Sequence, residues 1–369
     1  MSLEQIFNRI FAEAHISIKQ IKAVAQLLDD SNTVPFIARY RKEMTGGLDE
    51  NELRLIEDRL KFHRNLEQRK EEVIRLIDGQ GKLTDDLVTQ ISKATKTVEI
   101  DDIYLPFRQK RKTRASMARD KGLQALADYL LNFPSEGNLE EEALRYLSDQ
   151  VLTIEAALQG AKDIIAEQVS EDATARRWIR EYSRKHGVIV VSTKDVKTES
   201  PYRMYYDYQE AVAKIPPHRI LAINRGEREE ILRVSISVGV EKIIDFLNKL
   251  YVKPDITASY VTGAIEDSYS RLIKPSIERD LRNELSEKAE EHAINIFAKN
   301  LGNLLLQPPI KGQVILGLDP AYRTGCKWTV VDETGKMLEV GVVYPTPPQK
   351  KVAEAEAVLL KRMHCSKYD

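Results

Sequence analysis

Apolar residues recur at three- and four-residue spacing along most of the chain before residue 307, as in helices that bury one face. Ile6, Ile10 and Ala14 line one stripe and Ile21, Val24, Leu27 and Leu28 the next, predicting two helices within 3–30. Ser31-Asn32 ends the pair, and Pro35 restricts the next turn. Asp49 and Glu52 have capping-box spacing, opening a long helix with Leu53, Ile56 and Leu60 inward, then Val73, Leu76 and Ile77. Gly79 and Gly81 stop it, and Thr84 caps a helix that turns Leu87 and Ile91 inward. Asn138 and Glu141 form a second box, for a helix through Leu147. Thr153 caps ALQGAKDIIAEQV, and Ser170 caps a helix carrying Trp178 and Ile179 that ends at His186-Gly187. A further helix is expected over 241–251. Pro275 sits at an N1-like position before the stripe Ile277, Leu281, Leu285, Ala289, His292 and Ile296. That stripe predicts a helix over 275–306, roughly 48 Å at 1.5 Å per residue, ended by Pro308-Pro309. His292 on it reads as a packed or capped core histidine rather than a metal ligand.

Between Gly187 and Pro217 the periodicity weakens. Val188–Val191 fits a buried strand or a helix turn, and YRMYYDYQ at 202–209 fits core or a stacking surface, with core favoured. After Pro216-Pro217 a short helix, a turn at Gly226 and an alternating strand from Ile231 to Val238 are expected. At Gln313 the pattern changes to three short strands. Val314–Leu318 delivers Asp319 at its end, Thr324-Gly325 turns the chain into Cys326–Val331, and Glu333-Thr334-Gly335 turns it into Met337–Val343. A helix beginning, KKVAEAEAVLL, comes next with Val352, Ala355 and Leu359 on one side. These strands resemble the opening meander of an RNase H-like domain. The fold class is therefore mainly α: a multi-helical N-terminal region with long helices, then an incomplete RNase H-like α/β domain. The divisions expected are 1–190, a mostly helical 191–309, 310–361 for the start of the RNase H-like domain, and an atypical tail at 362–369.

Composition narrows the class. Hydrophobic residues make up 42% and charged residues 31%, with a net charge of −1, so charge is patterned along the chain rather than biased. Two cysteines, Cys326 and Cys365, suit a reducing cytosol and exclude a disulfide framework or a cysteine-rich zinc site. No apolar run approaches membrane-spanning length and no signal-peptide core opens the chain, so the expectation is a cytoplasmic protein with no membrane partner. P-loop, GxSxG, HExxH and CxxC motifs are absent, so no cofactor and no metal site are expected.

Two segments carry candidate chemistry. VPFIARYRKEMTGGLDE (34–50) reads as a linker placing Arg39, Arg41 and Lys42 beside Phe36 and Tyr40; either its aromatics pack and its cations lie along apolar surface, or the group faces a ligand. EIDDIYLPFRQKRKTRASMARDKGL (99–123) holds seven basic side chains between Arg108 and Lys121 against one acid, Asp120. Arg108, Lys110, Arg111, Lys112 and Arg114 suit phosphate contact, since cations that neutralise phosphates release counterions. The alternative is internal pairing of these cations with Glu99, Asp101 and Asp102. Asp319 stands at an RNase H-like acidic position. One carboxylate cannot clamp two metal ions, and Asp332 and Glu333 read as turn residues, so catalysis is not expected.

VPFIARYRKEMTGGLDE, DDIYLPFRQKRKTRASMARDKGL, ALQGAKDIIAE, HRILAINRGERE, SYSRLIKPSIERDLRNEL and GLDPAYRTGCK occur in the order seen in the bacterial Tex family of transcription accessory proteins, and the chain resembles that family from residue 1 to about 361. The resemblance implies a helical N-terminal region, a YqgF/RNase H-like domain, and helix-hairpin-helix and S1 modules of which only the first part is present here. Ala321 stands where the family commonly has Gly, and Gln109 where it tends to have Pro. The break in the apolar stripe at KRMHCSKYD suggests a frameshift or premature stop near Lys361, with a non-family tail of Arg362–Asp369. The resemblance further implies a nucleic-acid-binding role in transcription, on RNA or DNA without sequence preference, with RNA polymerase or another transcription protein as a possible partner. The alternatives are an interaction scaffold, self-associating through exposed C-terminal strands, and the remnant of a metal-dependent nuclease.

Overall fold

The computed structural model describes residues 3–363 apart from Ser135, Lys194, Thr198, Pro309, Tyr322 and Arg323. The chain divides into two units, Met1–Glu291 and His292–Asp369, and is mainly α-helical.

The first unit builds three apolar clusters in chain order. Helices α1 (Leu3–Ala14), α2 (Ile18–Asp29) and α3 (Val34–Tyr40) pack on the N-terminal half of α4 (Glu50–Asp78). There Ile6, Ile10, Ile21, Val24 and Ile37 meet Leu53, Ile56 and Leu60. The capping box of α4 is formed: Glu52 N donates to Asp49 Oδ1 and Asp49 N to Glu52 Oε2, both at 2.8 Å. The C-terminal half of α4 sends Leu66, Val73 and Ile77 into a second cluster with Ile91 of α5 (Asp85–Lys93) and Ile100 of α6 (Thr97–Tyr104). Leu76, expected on that stripe, is exposed, because one residue from Ile77 is a step of about 100° round the helix.

The third cluster is the largest. Short helices α7 (Arg114–Asp120), α8 (Gln124–Leu131) and α9 (Leu139–Leu144) surround α10 (Ile154–Ser170). Ala157, Leu158, Ala161, Ile164 and Ile165 of α10 are all buried. Helix α11 (Ala173–His186) then leads into a sheet of β1 (Val188–Thr193), β2 (Asp207–Ala211) and β3 (Leu232–Ser237). Its order is β2-β1-β3, antiparallel throughout, with Val188 opposite both Ala211 and Ser237. The open choice at Val188–Val191 thus resolves to a central strand, and Tyr202 and Tyr205 are core. Helices α12 (Pro217–Arg228), α13 (Val240–Tyr251), α14 (Ala258–Asp267) and α15 (Lys274–Leu305) complete the set.

Several local expectations change. Ser170 is the last residue of α10, and Asp172 caps α11 by accepting from Thr174 N and Ala175 N. Asn138 accepts from Glu140 N, one residue short of a capping box, and its helix ends at Leu144. Gly226 lies inside α12 rather than in a turn; a Cβ there would fall 2.6 Å from Leu232 Cδ1, so its bare backbone lets β3 close on the helix. Pro275 does not start a separate helix. A π-turn, Ser268–Ile273, joins α14 to α15, widening the hydrogen-bond ladder where proline lacks an N–H. On α15 the buried stripe stops at Ala289, and His292 and Ile296 are exposed, so His292 is not a core histidine. The helix outlasts the elements that cover its first half.

A polar joint ties the helices of the second cluster to the third. Asp102 of α6 is 4% exposed and accepts from Arg176 Nε at 2.6 Å and from Arg180 Nη1 at 2.6 Å and Nη2 at 3.1 Å. The same row of α11 meets α15 in register: Arg176 donates to Ser276 Oγ at 2.9 Å, Arg180 to Asp280 at 3.2 Å and Arg184 to Glu284 at 2.6 Å. Steps of four on both helices keep each row on one face, so α11 and α15 run parallel.

In the second unit β4 (Ile315–Asp319), β5 (Cys326–Val331) and β6 (Met337–Val343) form an antiparallel meander in the order β4-β5-β6. Trp328, Val330 and Val343 bury Ala355 of α16 (Val352–Met363). Arg362, set apart by the sequence as tail, is still helical; it pairs with Glu339 at 2.6 Å and lies 5.5 Å from the Trp328 ring centroid. Met363 ends the helix, and the remaining tail, 364–369, lies outside the described residues.

Removing Asp102 leaves two buried guanidinium groups short of their main acceptor. Asp102→Ala is expected to lower unfolding stability by about 3–5 kcal/mol, read as a lower urea midpoint.

Candidate nucleic-acid interface

The segment at 34–50 is half helix. Val34 and Ile37 are buried and fix α3 to the core, with Pro35 in its first turn. That seating turns the other face outward. Phe36 and Tyr40, four residues apart, hold ring centroids 5.1 Å from each other. The Arg41 guanidinium lies 5.2 Å from the Phe36 centroid. Tyr40 and Met44 are each 59% exposed. The turn behind them is closed by buried Thr45, whose Oγ1 donates to Lys42 O, and by Gly47 N donating to the same oxygen. Gly46 and Gly47 have φ of 66° and 84°, a left-handed pair that glycine adopts without strain. Arg39, Arg41 and Lys42 are exposed and have no ion-pair partner among the described residues. The aromatics therefore do not pack into the core, and the cations beside them are exposed, with Arg41 laid over Phe36 and donating to Tyr40 O at 3.1 Å.

The second segment is divided. Pro106 sits in the 3-10 turn Leu105–Phe107, held by Phe107 packing on the second cluster and by Gln80 Nε2 donating to Phe107 O at 2.8 Å. Thr113 caps α7 and also donates Oγ1 to Glu167 of α10 at 2.9 Å. Glu167 accepts from Arg119 Nη1 at 2.6 Å and pairs with Lys110 at 3.3 Å; Lys110 also pairs with Glu171. Burial would raise the Glu167 carboxyl, but hydrogen bonds from Arg119 and Thr113 and the charge of Lys110 hold it below the usual carboxylate range. Burial wins at Glu171, which is pushed up despite Lys110. Arg114 pulls electrostatically on Asp163, whose carboxyl burial nevertheless raises. Arg108, Arg111 and Lys112 are exposed, with no ion-pair partner among the described residues.

Internal pairing thus occurs, but not with the acids expected. Asp101 holds Arg69 at 2.6 Å, Asp102 holds Arg176 and Arg180, and Glu99 accepts from Thr95 N and Lys96 N. The carboxylates that neutralise Lys110 and Arg119 come from the end of α10 and the residue that follows it. Their signal was present in the sequence: Glu167 and Glu171 are four apart at the end of the ALQGAKDIIAEQV helix. The two basic segments flank the ends of α4, whose 29 residues span roughly 43 Å at 1.5 Å per residue.

Asp319 ends β4 opposite Lys327 and is exposed. Asp332 lies at the other end of the meander and holds its own turn, accepting from Thr334 N, Thr334 Oγ1 and Lys336 N. Among the described residues no group of three His, Cys, Asp or Glu side chains is placed to hold a metal.

Fold and surface define a mainly helical protein with two exposed basic segments, carried on toward an α/β domain by a three-stranded meander. Three family models match in series: the Tex-like protein N-terminal domain over 4–78, the Tex central region-like family over 135–297 and the Tex protein YqgF-like domain over 313–369. The chain is 49% identical over 361 residues to the uncharacterized protein YdcI of Bacillus subtilis, covering 96% of this chain and 50% of that protein. It is 39% identical to the transcriptional accessory protein Tex of Neisseria gonorrhoeae, covering 93% and 46%, and 30% identical to the human S1 RNA-binding domain-containing protein 1, covering 93% and 36%. The chain belongs to the Tex family. It spans about half the length of the curated bacterial relatives it matches.

Glu167→Gln is expected to cost about 1–3 kcal/mol, the scale for a buried charged acceptor lost from a network. Because folding lowers this carboxyl below its ordinary 4.5, its contribution is present above that pH and lost as pH falls through the folded value. Acid unfolding profiles of the two proteins should therefore converge at low pH.

Proposed function

We propose that this chain binds nucleic acid without sequence preference, as the helical module of a transcription accessory protein acting in the cytoplasm. The observation that carries the reading is the set of exposed cations Arg39, Arg41, Lys42, Arg108, Arg111 and Lys112, none with an ion-pair partner among the described residues. In the first segment they stand beside exposed aromatic rings, and in both they are supported by rigid helices. Cations of this kind position a protein on phosphates without reading bases, and aromatic faces add stacking to any base. The name of the gonococcal relative supports transcription as the setting, and the companion we propose is RNA polymerase or another transcription protein. Catalysis is not part of the proposal, because Asp319 is exposed and belongs to no metal-holding cluster among the described residues.

Labelled single- and double-stranded RNA and DNA, titrated by fluorescence anisotropy across a salt series, provide the test. Affinity should fall steeply with salt, and the double variant Arg111→Gln, Lys112→Gln should flatten the log–log slope by about 1–2. Salt-independent affinity would overturn the reading. Magnesium-dependent cleavage abolished by Asp319→Asn would replace binding with catalysis.

A second reading, an interaction scaffold, is favoured by apolar exposure in the second unit. Phe297 is 68%, Leu304 60%, Met337 62% and Val340 60% exposed. Uncovered apolar surface and strand edges invite partners. Self-association is the expected outcome, read as mass rising with concentration in light scattering; a monomer at all concentrations argues against it.

A further inference from the structure

A cleft of about 1070 Å³ opens in the first unit between the end of α4, α6 with the turn after it, and the start of α15. Four carboxylates line it and all are engaged. Glu72 and Asp101 hold Arg69. Asp102 holds Arg176 and Arg180, and Asp280 is held by Arg180. Three more arginines line the cleft from separate elements: Arg75 on α4, Arg108 after the 3-10 turn and Arg279 on α15. Each is exposed and has no ion-pair partner among the described residues. Leu76 and Val98, 36% and 40% exposed, line the same wall. Arg108 also lines an adjoining pocket of about 420 Å³ with Lys110, Arg114 and Arg271, where Asp163, Glu167 and Glu171 engage Lys110 and Arg271, so the unpaired arginines belong to the cleft itself.

We propose that this cleft seats a single nucleic-acid strand, with Arg75, Arg108 and Arg279 on successive phosphates and Leu76 and Val98 under unpaired bases or sugars. The proposal rests on the nucleic-acid reading above and places the strand where that reading did not. Guanidinium groups suit the role, because their planar forks grip phosphate oxygens in pairs. The volume lies at the upper edge of ligand clefts, roughly 300–1,000 Å³, room for a few nucleotides. A duplex turns its bases inward and would leave Leu76 and Val98 uncovered.

The test uses the whole chain and labelled oligonucleotides of about twelve residues, within the range of single-strand site sizes, as single strands and duplexes. Arg75→Gln with Arg279→Gln should weaken single-strand binding roughly tenfold and flatten its salt slope by about 1.4, or 0.7 per lost phosphate contact. Duplex binding should change less. Leu76→Glu, which spares every arginine, should weaken single-strand binding as well. The substituted side chains are exposed, and unchanged unfolding midpoints verify the fold. Single-strand binding that survives all three substitutions while Arg111→Gln, Lys112→Gln weakens it overturns the cleft and leaves the broader reading standing. Equal losses on duplex and single strand overturn the strand preference. No binding of any nucleic acid by the unsubstituted chain overturns the broader reading itself.

Discussion

The buried ion network at Asp102 fixes how the first unit is put together. The apolar clusters on α4 and on α10 are separate, and charge crosses part of the gap between them. Such a network contributes little net stability over an apolar joint, since desolvation offsets attraction. What it supplies is registry. Carboxylate and guanidinium geometry is directional, and the row Arg176, Arg180 and Arg184 meets Ser276, Asp280 and Glu284 at matched steps of four. A slip of one turn would leave buried charges unmatched. The joint also shapes the surface above it. By engaging Asp102 and Asp280 it silences two acids in the cleft wall, and Arg69 silences Glu72 and Asp101. Five arginines line the cleft against four carboxylates, and because the carboxylates are all engaged, Arg75, Arg108 and Arg279 are left to face a ligand.

The same logic divides the basic run at 108–121. Lys110 and Arg119 converge on Glu167, which also holds the cap of α7. These cations are structural, and they hold the loop so that Arg108, Arg111 and Lys112 face outward. Counting charge along the run therefore overstates what is free for a ligand. A net charge of −1 understates it, since acids engaged internally still enter the sum.

Features that depend on near neighbours were legible in the sequence. The capping box at Asp49 and Glu52, the caps at Thr84 and Thr153, the stripes of α1, α2 and α4, and the three-strand meander all rest on spacings of a few residues. The shift of the α11 cap from Ser170 to Asp172 shows the limit of that local signal. A serine at the end of one helix and an aspartate at the start of the next are both good caps, and α10 runs on through Ser170. The central sheet was half legible because β1 is short and is flanked on both edges by strands that come later in the sequence. Partnership of charges was least legible: Asp102 finds Arg176 and Arg180 more than seventy residues away, and no periodicity reports a pairing at that distance. The cleft arginines, Arg75 and Arg279, sit in ordinary amphipathic helices and carry no motif.

Helix α15 shows what periodicity does and does not specify. Its apolar stripe runs unbroken in the sequence from Ile277 to Ile296, yet burial stops at Ala289. A stripe defines which face seeks cover; only the neighbouring elements decide how far cover extends. The first half of α15 is committed, through Arg176, Arg180 and Arg184, to the joint that also shapes the cleft. Its later turns expose Phe297, Leu301 and Leu304 in the second unit. One helix thus contributes Arg279 to a charged site and an apolar face beyond it, so any partner on that face would bear on the element that carries one wall of the cleft.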